Sequence, residues 1–341
     1  FNNSPTENYL SNIYEKNELI TSIYEVNNGI RGDITASQII PLAEASQRDY
    51  YESEVHQGPG GTGKSTKNIL DCGLVDMVYI APSWKLARQM QTDIKNKFNI
   101  DIDVNVYYRL MNEPYKNTLL KKYKNVLLDE ASQKTEQEKN YLLKILKGFN
   151  RVLFVGDFGY QLPPISKILG VKPDEMTFDN IENVITHTEQ IRTRCNKLKT
   201  LLNNLRSLIN SNASYKMALP LLNKNLELIT KEQLKKEYNK KDMILCSQHD
   251  FKDEYTEMFK HIKKYYVTEN NNLYQNGMII FENIKDVKSE LRHAYTIHSI
   301  QGETAENNLY IDLRKQKSLR MIYTAISRAK YISQVKLLNG K

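Results

Sequence analysis

The chain is 341 residues long, with 40% hydrophobic and 26% charged residues, which excludes a peptide, a small disulfide scaffold and a mainly disordered chain. At roughly 150 residues per domain this length suggests two domains. The net charge is +8, from 48 Lys and Arg against 40 Asp and Glu, unevenly placed: residues 1–50 carry 3 basic and 7 acidic groups, residues 301–341 carry 8 and 3. That excess permits a polyanionic partner and the 22 Tyr offer faces for base stacking, although a lysine- and tyrosine-rich genome bias accounts for both equally well.

In chain order, residues 1–48 are polar, Asn-rich and acidic, with weak helical periodicity. Tyr51–Gln57 then reads as a strand, followed by a glycine loop and a helix from Lys64. Val75–Ala81 is a second strand and Lys85–Lys97 a helix; Asn125–Leu128 and Val152–Val155 are short buried strands, each running into carboxylates. From about Lys167 a second unit begins, with leucines at helical spacing over Lys197–Ile209 and a buried strand at Asp242–Ser247. A hairpin is expected over Tyr265–Glu282, turning at Asn270, Asn271 and Asn272, then a strand at Leu309–Leu313 and a helix at Arg320–Ala329. Strands alternating with helices argue for an α/β fold built on open parallel sheets. The three cysteines, Cys72, Cys195 and Cys246, lack metal-site spacing, which suits a reducing compartment without a zinc module. No apolar run of about 18 residues and no signal segment is present, so a cytoplasmic location is expected, and the start at Phe1 suggests a processed or trimmed polypeptide.

The sharpest chemical signal is Gly58-Pro59-Gly60-Gly61-Thr62-Gly63-Lys64-Ser65, followed by Thr66, which fits the phosphate-binding loop GxxxxGK[ST]. Its glycines let backbone N–H groups turn toward phosphate oxygens, and the helix that follows adds its positive end. Lys64 is placed to reach the β- and γ-phosphates, and the Ser65 hydroxyl to bind Mg²⁺. Such a loop needs an acid at the end of a neighbouring strand, and Asp129 supplies it as a second metal ligand; Glu130 beside it would orient and deprotonate a water. The third strand runs into Gly156-Asp157-Phe158-Gly159-Tyr160-Gln161-Leu162-Pro163-Pro164, where Gln161 can sense the γ-phosphate.

In this order the loop, Asp129–Ser132 and Gly156–Pro164 resemble the first RecA-like domain of a superfamily 1 helicase. Thr188–Arg192 is similar to the family's fourth motif, Tyr295–Thr304 (with Gly302) to its fifth and Tyr323–Ala329 to its sixth. The helix with Leu198, Leu201, Leu202 and Leu205-Arg206 is similar to the RecD-like branch, of a phage or viral type. The resemblance implies two RecA-like domains, at 49–166 and 167–341, with an ATP cleft between them and a small insertion near 265–290; residues 1–48 form a preceding helical segment. It implies Arg192 and Arg328 at the γ-phosphate, Gln38 reading the adenine (with Gln47 as a rival), and ATP with Mg²⁺ as the ligands.

The family's nucleic-acid contacts carry over to Ser83, to Tyr108, and to His298 and Thr304, and Trp84, the only tryptophan, follows that serine as a further candidate. Trp84 either stacks on a base or sits half-buried in the core. Val106-Tyr107-Tyr108-Arg109-Leu110 stands where the branch has Thr-Ile-His, with no Thr and with Tyr for His. The expected activity is an ATP-dependent 5′–3′ helicase on single-stranded or tailed DNA, in replication, recombination or repair, with other replication proteins as further partners. The competing expectations are a viral RNA helicase released from a replicase polyprotein and an ATP-gated single-strand binding or loading protein without unwinding.

Overall fold

The computed structural model describes residues 52–71, 76–162, 174–178, 181, 183–189, 191, 193–270, 274, 276–315 and 318–338. The expectations for Gln38, Gln47 and Arg192 fall outside these residues. Among the described residues no helix is long and apolar enough to cross a membrane.

The first sheet has the order β3-β2-β4-β5-β1-β6 and is parallel throughout. Its strands are β1 (Glu52–Gln57), β2 (Met77–Ala81), β3 (Asp103–Val106), β4 (Asn125–Leu128), β5 (Arg151–Gly156) and β6 (Asn183–Thr186). All five residues of β2 are buried, which is why it reads as an unbroken apolar run rather than an alternating one. Around the sheet lie α1 (Lys64–Asp71), α2 (Trp84–Phe98), α3 (Tyr107–Leu110), α4 (Glu113–Lys122) and α5 (Glu136–Ile145). Helix α2 starts on Ser83, whose Oγ accepts from the Leu86 N–H, and stops at Asn99 in a left-handed conformation after Lys95 and Lys97 in its last turn. Helix α5 opens with a capping box between Thr135 and Glu138.

The second sheet, order β12-β8-β13-β14-β7, is also parallel. It is built from β7 (Glu227–Ile229), β8 (Met243–Cys246), β12 (Ala294–Thr296), β13 (Leu309–Asp312) and β14 (Val335–Leu338). The helices of this half are α6 (Asn196–Asn210), α7 (Ala218–Asn225), α8 (Lys231–Glu237), α9 (His249–Met258) and α10 (Leu319–Ile326). The leucines of α6 at 198, 201, 202 and 205 are all buried, in one core with α10 and β8, β12, β13 and β14. The expected hairpin is present as β9 (Tyr265–Val267) against β10 (Ile279–Ile280), and β11 (Ser289–Leu291) completes a small antiparallel sheet, β10-β9-β11.

One boundary moves. Residues 183–186 were expected in the second unit, yet β6 pairs with β1 as the outer strand of the first sheet. All four β6 residues are exposed, so the strand carries no buried apolar run to announce it.

Candidate active site

The strand order brings three chain segments to one edge. Strand β1 lies beside β5, and β5 beside β4, so the turns after all three emerge together at the carboxyl ends of the strands. The turn after β1 is the glycine loop. Gly58 donates its N–H to the Gly156 carbonyl at 3.2 Å, which ties the loop to the end of β5. It adopts φ +152°, and a Cβ there would lie 2.1 Å from the His187 carbonyl oxygen, so only glycine fits against the residue after β6. Thr62 Oγ1 donates to the Pro59 carbonyl at 3.2 Å. The Lys64 ammonium donates to the carbonyls of Gly58 (2.7 Å) and Pro59 (2.9 Å), holding its charge over the loop at the start of α1.

Ser65 and Asp129 are 64 residues apart in sequence, and the Ser65 hydroxyl donates to Asp129 Oδ1 at 2.8 Å. Two buried tyrosines fix the acid: Tyr79 donates its hydroxyl to Oδ2, and Tyr107 donates to the Asp129 carbonyl at 2.9 Å. Burial, then the charge of Asp129, pushes both phenols well above the ordinary tyrosine range, so they remain donors. Glu130 follows in a left-handed backbone conformation, φ +51°. Gln161 is buried, and its Oε1 has no hydrogen-bond partner among the described residues.

These groups line a cleft of about 1120 Å³ between the two sheets. From the first half it receives Gly60, Gly61, Gly63, Lys64, Ser65, Thr66, Asp129, Glu130 and Gln161; from the second, Gly302, Thr304 and Arg328. Arg328 is almost fully buried, and burial lowers its pKa against the pull of Glu130, Tyr323 and Asp157. Its guanidinium donates to the Thr324 carbonyl (3.0 Å), Ser327 Oγ (2.8 Å) and the Glu303 carbonyl (3.3 Å). Arg194 and Lys330 also line the cleft and add two cations from the second half. Of the expected nucleotide-site residues, Gln38 and Arg192 lie outside the described residues, Gly58 and Thr62 brace the loop from behind, and the others meet in the cleft.

The halves are joined by a buried cluster that the sequence does not announce. Asp157, at the end of β5, accepts from Arg206 Nη1 of α6 at 2.7 Å and from the Tyr323 hydroxyl of α10 at 2.8 Å. Arg206 also donates to Tyr323 Oη at 2.9 Å, and its guanidinium stacks 3.4 Å over the Tyr160 ring. Burial alone would lower the Arg206 pKa; the Asp157 charge and Tyr323 raise it instead. Arg206 and Tyr323 stood in recognised segments, but nothing in the sequence says that they share one carboxylate.

The expected nucleic-acid residues are more scattered. Ser83 serves as the cap of α2. Trp84 is half-buried against the first core, with the guanidinium groups of Arg88 and Arg109 at 5.3 and 5.0 Å from its ring centre. Tyr108 is half-buried between two first-domain clusters. His298 sits in the turn Ile297–Ile300 after β12, half-buried, and burial lowers its pKa. Thr304 lines the cleft itself, beside Gly302 and across from the glycine loop.

No protein-family model and no curated sequence matches the chain. Solved structures do. A structure of DNA unwinding at forked double-stranded DNA by two coordinating Pif1 helicases superposes with a TM-score of 0.59 at 16% identity, covering 89% of this chain and 91% of that one. The Pif1 helicase of Candida albicans gives 0.56 at 15%, covering 90% and 95%. The Pif1 helicase of Bacteroides in complex with ADP-AlF3 and ssDNA gives 0.54 at 18%, covering 85% and 89%. The chain therefore has the α/β fold of these helicases: two RecA-like domains built on parallel sheets, as its own two sheets show.

Proposed function

We propose that this protein is an ATP-driven superfamily 1 helicase of the RecD-like branch, moving 5′ to 3′ on single-stranded or tailed DNA. One observation carries the reading: the glycine loop with Lys64, the Ser65–Asp129 pair and the buried Gln161 meet Arg328 of the other domain across a single cleft. The solved relatives of this fold bind forked DNA, ssDNA and ADP-AlF3, which supports the same ligands here.

A hydroxyl and a carboxylate 2.8 Å apart at a strand's carboxyl edge are hard oxygen donors suited to Mg²⁺, and Ser65 and Asp129 would hold it. Bound there, the ion supplies neutralisation of charge on the phosphate oxygens. Lys64 leaves the carbonyls of Gly58 and Pro59 for the β- and γ-phosphate oxygens. Glu130 orients the attacking water and takes its proton, and the free Gln161 amide oxygen accepts from the same water. Arg328, with Arg192 and the cations Arg194 and Lys330, answers the negative charge that grows in the transition state, and it does so only when the two domains are closed. Nucleotide state is thereby coupled to domain spacing, and alternating grip by the two domains moves the strand.

The test is ATP turnover with and without single-stranded DNA and RNA of matched sequence, together with unwinding of duplexes tailed at either end. The expected results are stimulation by DNA, weaker binding as salt rises, and unwinding only of the 5′-tailed substrate. Turnover that no polynucleotide alters would overturn the reading. Stimulation without unwinding of any substrate would replace it with a strand-gripping ATPase.

A further inference from the structure

Lys85 and Glu303 come from opposite domains, 218 residues apart, yet their ammonium and carboxylate lie 2.6 Å apart with each side chain 19% exposed. Lys85 is the second residue of α2, beside Trp84 and the Ser83 cap. Glu303 follows Gly302 in the loop after β12, and its carbonyl accepts from Arg328 Nη1 at 3.3 Å. The next turn of the same loop is tied to that arginine again, because the Ala305 N–H donates to the Arg328 carbonyl at 2.8 Å. A single residue thus holds α2 by its side chain and Arg328 by its backbone.

The surroundings keep this contact in register. Gly302 has φ +86°, and a Cβ there would lie 2.9 Å from Leu86 Cδ1 and 3.6 Å from Glu130 Oε1, so the loop passes directly between α2 and the catalytic carboxylate. From the other side, Gly277 of the β9–β10 turn packs on the aliphatic stem of Lys85: with φ +95°, its Cβ would lie 3.1 Å from Lys85 Cδ. The small antiparallel sheet therefore buttresses the lysine.

We propose that Lys85 and Glu303 are a positioning pair, which makes the placement of Arg328 depend on a single-stranded phosphodiester bound at the N-terminal turn of α2. The proposal rests on the helicase reading. A phosphodiester arriving beside Ser83 and Trp84 displaces the N-terminal turn of α2, and residue 85 with it, relative to Glu303. Glu303 cannot follow without moving the carbonyl that holds Arg328. Linkage runs both ways, so closure of Arg328 on the nucleotide also alters the grip on the strand.

The experiment measures ATP turnover and single-stranded DNA affinity for Lys85→Ala, Glu303→Ala and the exchanged pair Lys85→Glu with Glu303→Lys. Gly277→Ala is included as a variant that keeps both charges and displaces the lysine stem. The ratio of DNA-stimulated to basal kcat should fall roughly tenfold in each single alanine variant, a typical coupling for contacting charges, and fall less in Gly277→Ala. The exchanged pair should recover most of that ratio, which a direct lysine–phosphate contact would not allow. A wild-type protein stimulated by DNA, with both alanine variants stimulated as fully, would overturn this inference alone. So would an exchanged pair no better than Lys85→Ala, with the loss lying entirely in DNA affinity. A wild-type protein that no polynucleotide stimulates would overturn the helicase reading, and the inference with it.

Discussion

Replacing Arg206 by alanine removes the cation that neutralises Asp157 at the junction of the two domains. Asp157 is 1% exposed, and its two described side-chain partners are Arg206 at 2.7 Å and the Tyr323 hydroxyl at 2.8 Å. After the change it is left with one neutral donor. Breaking a buried ion pair by deleting one member costs about 3–5 kcal/mol, most of it the penalty of the stranded charge. The Arg206 side chain is 16% exposed, so water can enter the space it vacates, and the expected loss lies near the lower end, about 3 kcal/mol. Tyr323→Phe removes the hydroxyl that donates to Asp157 and accepts from Arg206, and loss of the bond to the carboxylate alone should cost about 1.5–3 kcal/mol. Removing both charges with Asp157→Asn and Arg206→Met leaves no stranded ion. The double variant should then be more stable than the sum of its single changes predicts, by about 1–3 kcal/mol. Urea unfolding followed by far-ultraviolet circular dichroism, extrapolated to water, measures each value. An Arg206→Ala protein within 1 kcal/mol of the wild type, or an additive double variant, would refute the argument that this cluster carries a buried charge between the domains.

Three further outcomes are expected. Lys64→Ala should abolish ATP turnover while leaving the circular dichroism spectrum unchanged, and near-normal turnover would remove the phosphate loop from the site. Arg328→Ala should lower kcat by about 10²–10³-fold with a much smaller change in ATP affinity, since the loss of one donor to developing charge costs about that much; weak binding with normal turnover of bound ATP contradicts this role. Stability should fall as the pH drops below 6.5. His293 is fully buried, and burial, then the charge of Lys264, lowers its pKa to about 4. Between pH 6.5 and 4 the unfolded chain therefore binds a proton that the folded one does not, which removes about 3 kcal/mol across that window. Melting temperature measured from pH 8 to 5 should show the slope, and His293→Asn should flatten it; equal slopes in the two proteins would place the titration elsewhere.

What the sequence made legible is what is contiguous in it. Asp129 with Glu130 sits directly after a buried apolar strand and Gln161 five residues beyond another, while the glycine loop, which follows the mostly polar β1, is legible from its own motif; in each case one local stretch supplies both the side chain and its position at the sheet edge. The buried strands β2, β4, β5, β8 and β13 were expected within two residues of their observed limits for the same reason. Strand β6 was not, because all four of its residues face solvent and its pairing with β1 is its one structural mark. Contacts made by topology were equally silent. Tyr79 reaches Asp129 across 50 residues because β2 and β4 are neighbours, and Tyr323 reaches Asp157 across 166 because the cleft brings the end of β5 to α10.

The residues at the head of α2 show how position and role separate. A serine, an aromatic and a lysine in succession suggest a strand-gripping surface. In the fold, Ser83 is spent on capping, Trp84 is flanked by two arginines, and Lys85 turns to the other domain. Each of these side chains already has a partner, so a nucleic acid arriving there must disturb an existing contact rather than fill a gap. Of the three contacts, the Lys85–Glu303 pair alone crosses the cleft, and its carboxylate belongs to the residue whose backbone carries Arg328. A shift of α2 is therefore felt at the catalytic arginine through this pair, whereas the Ser83 and Trp84 contacts themselves lie within the first domain. Coupling in this fold thus resides in a pair whose two members come from separate motifs, each unremarkable when read along the chain.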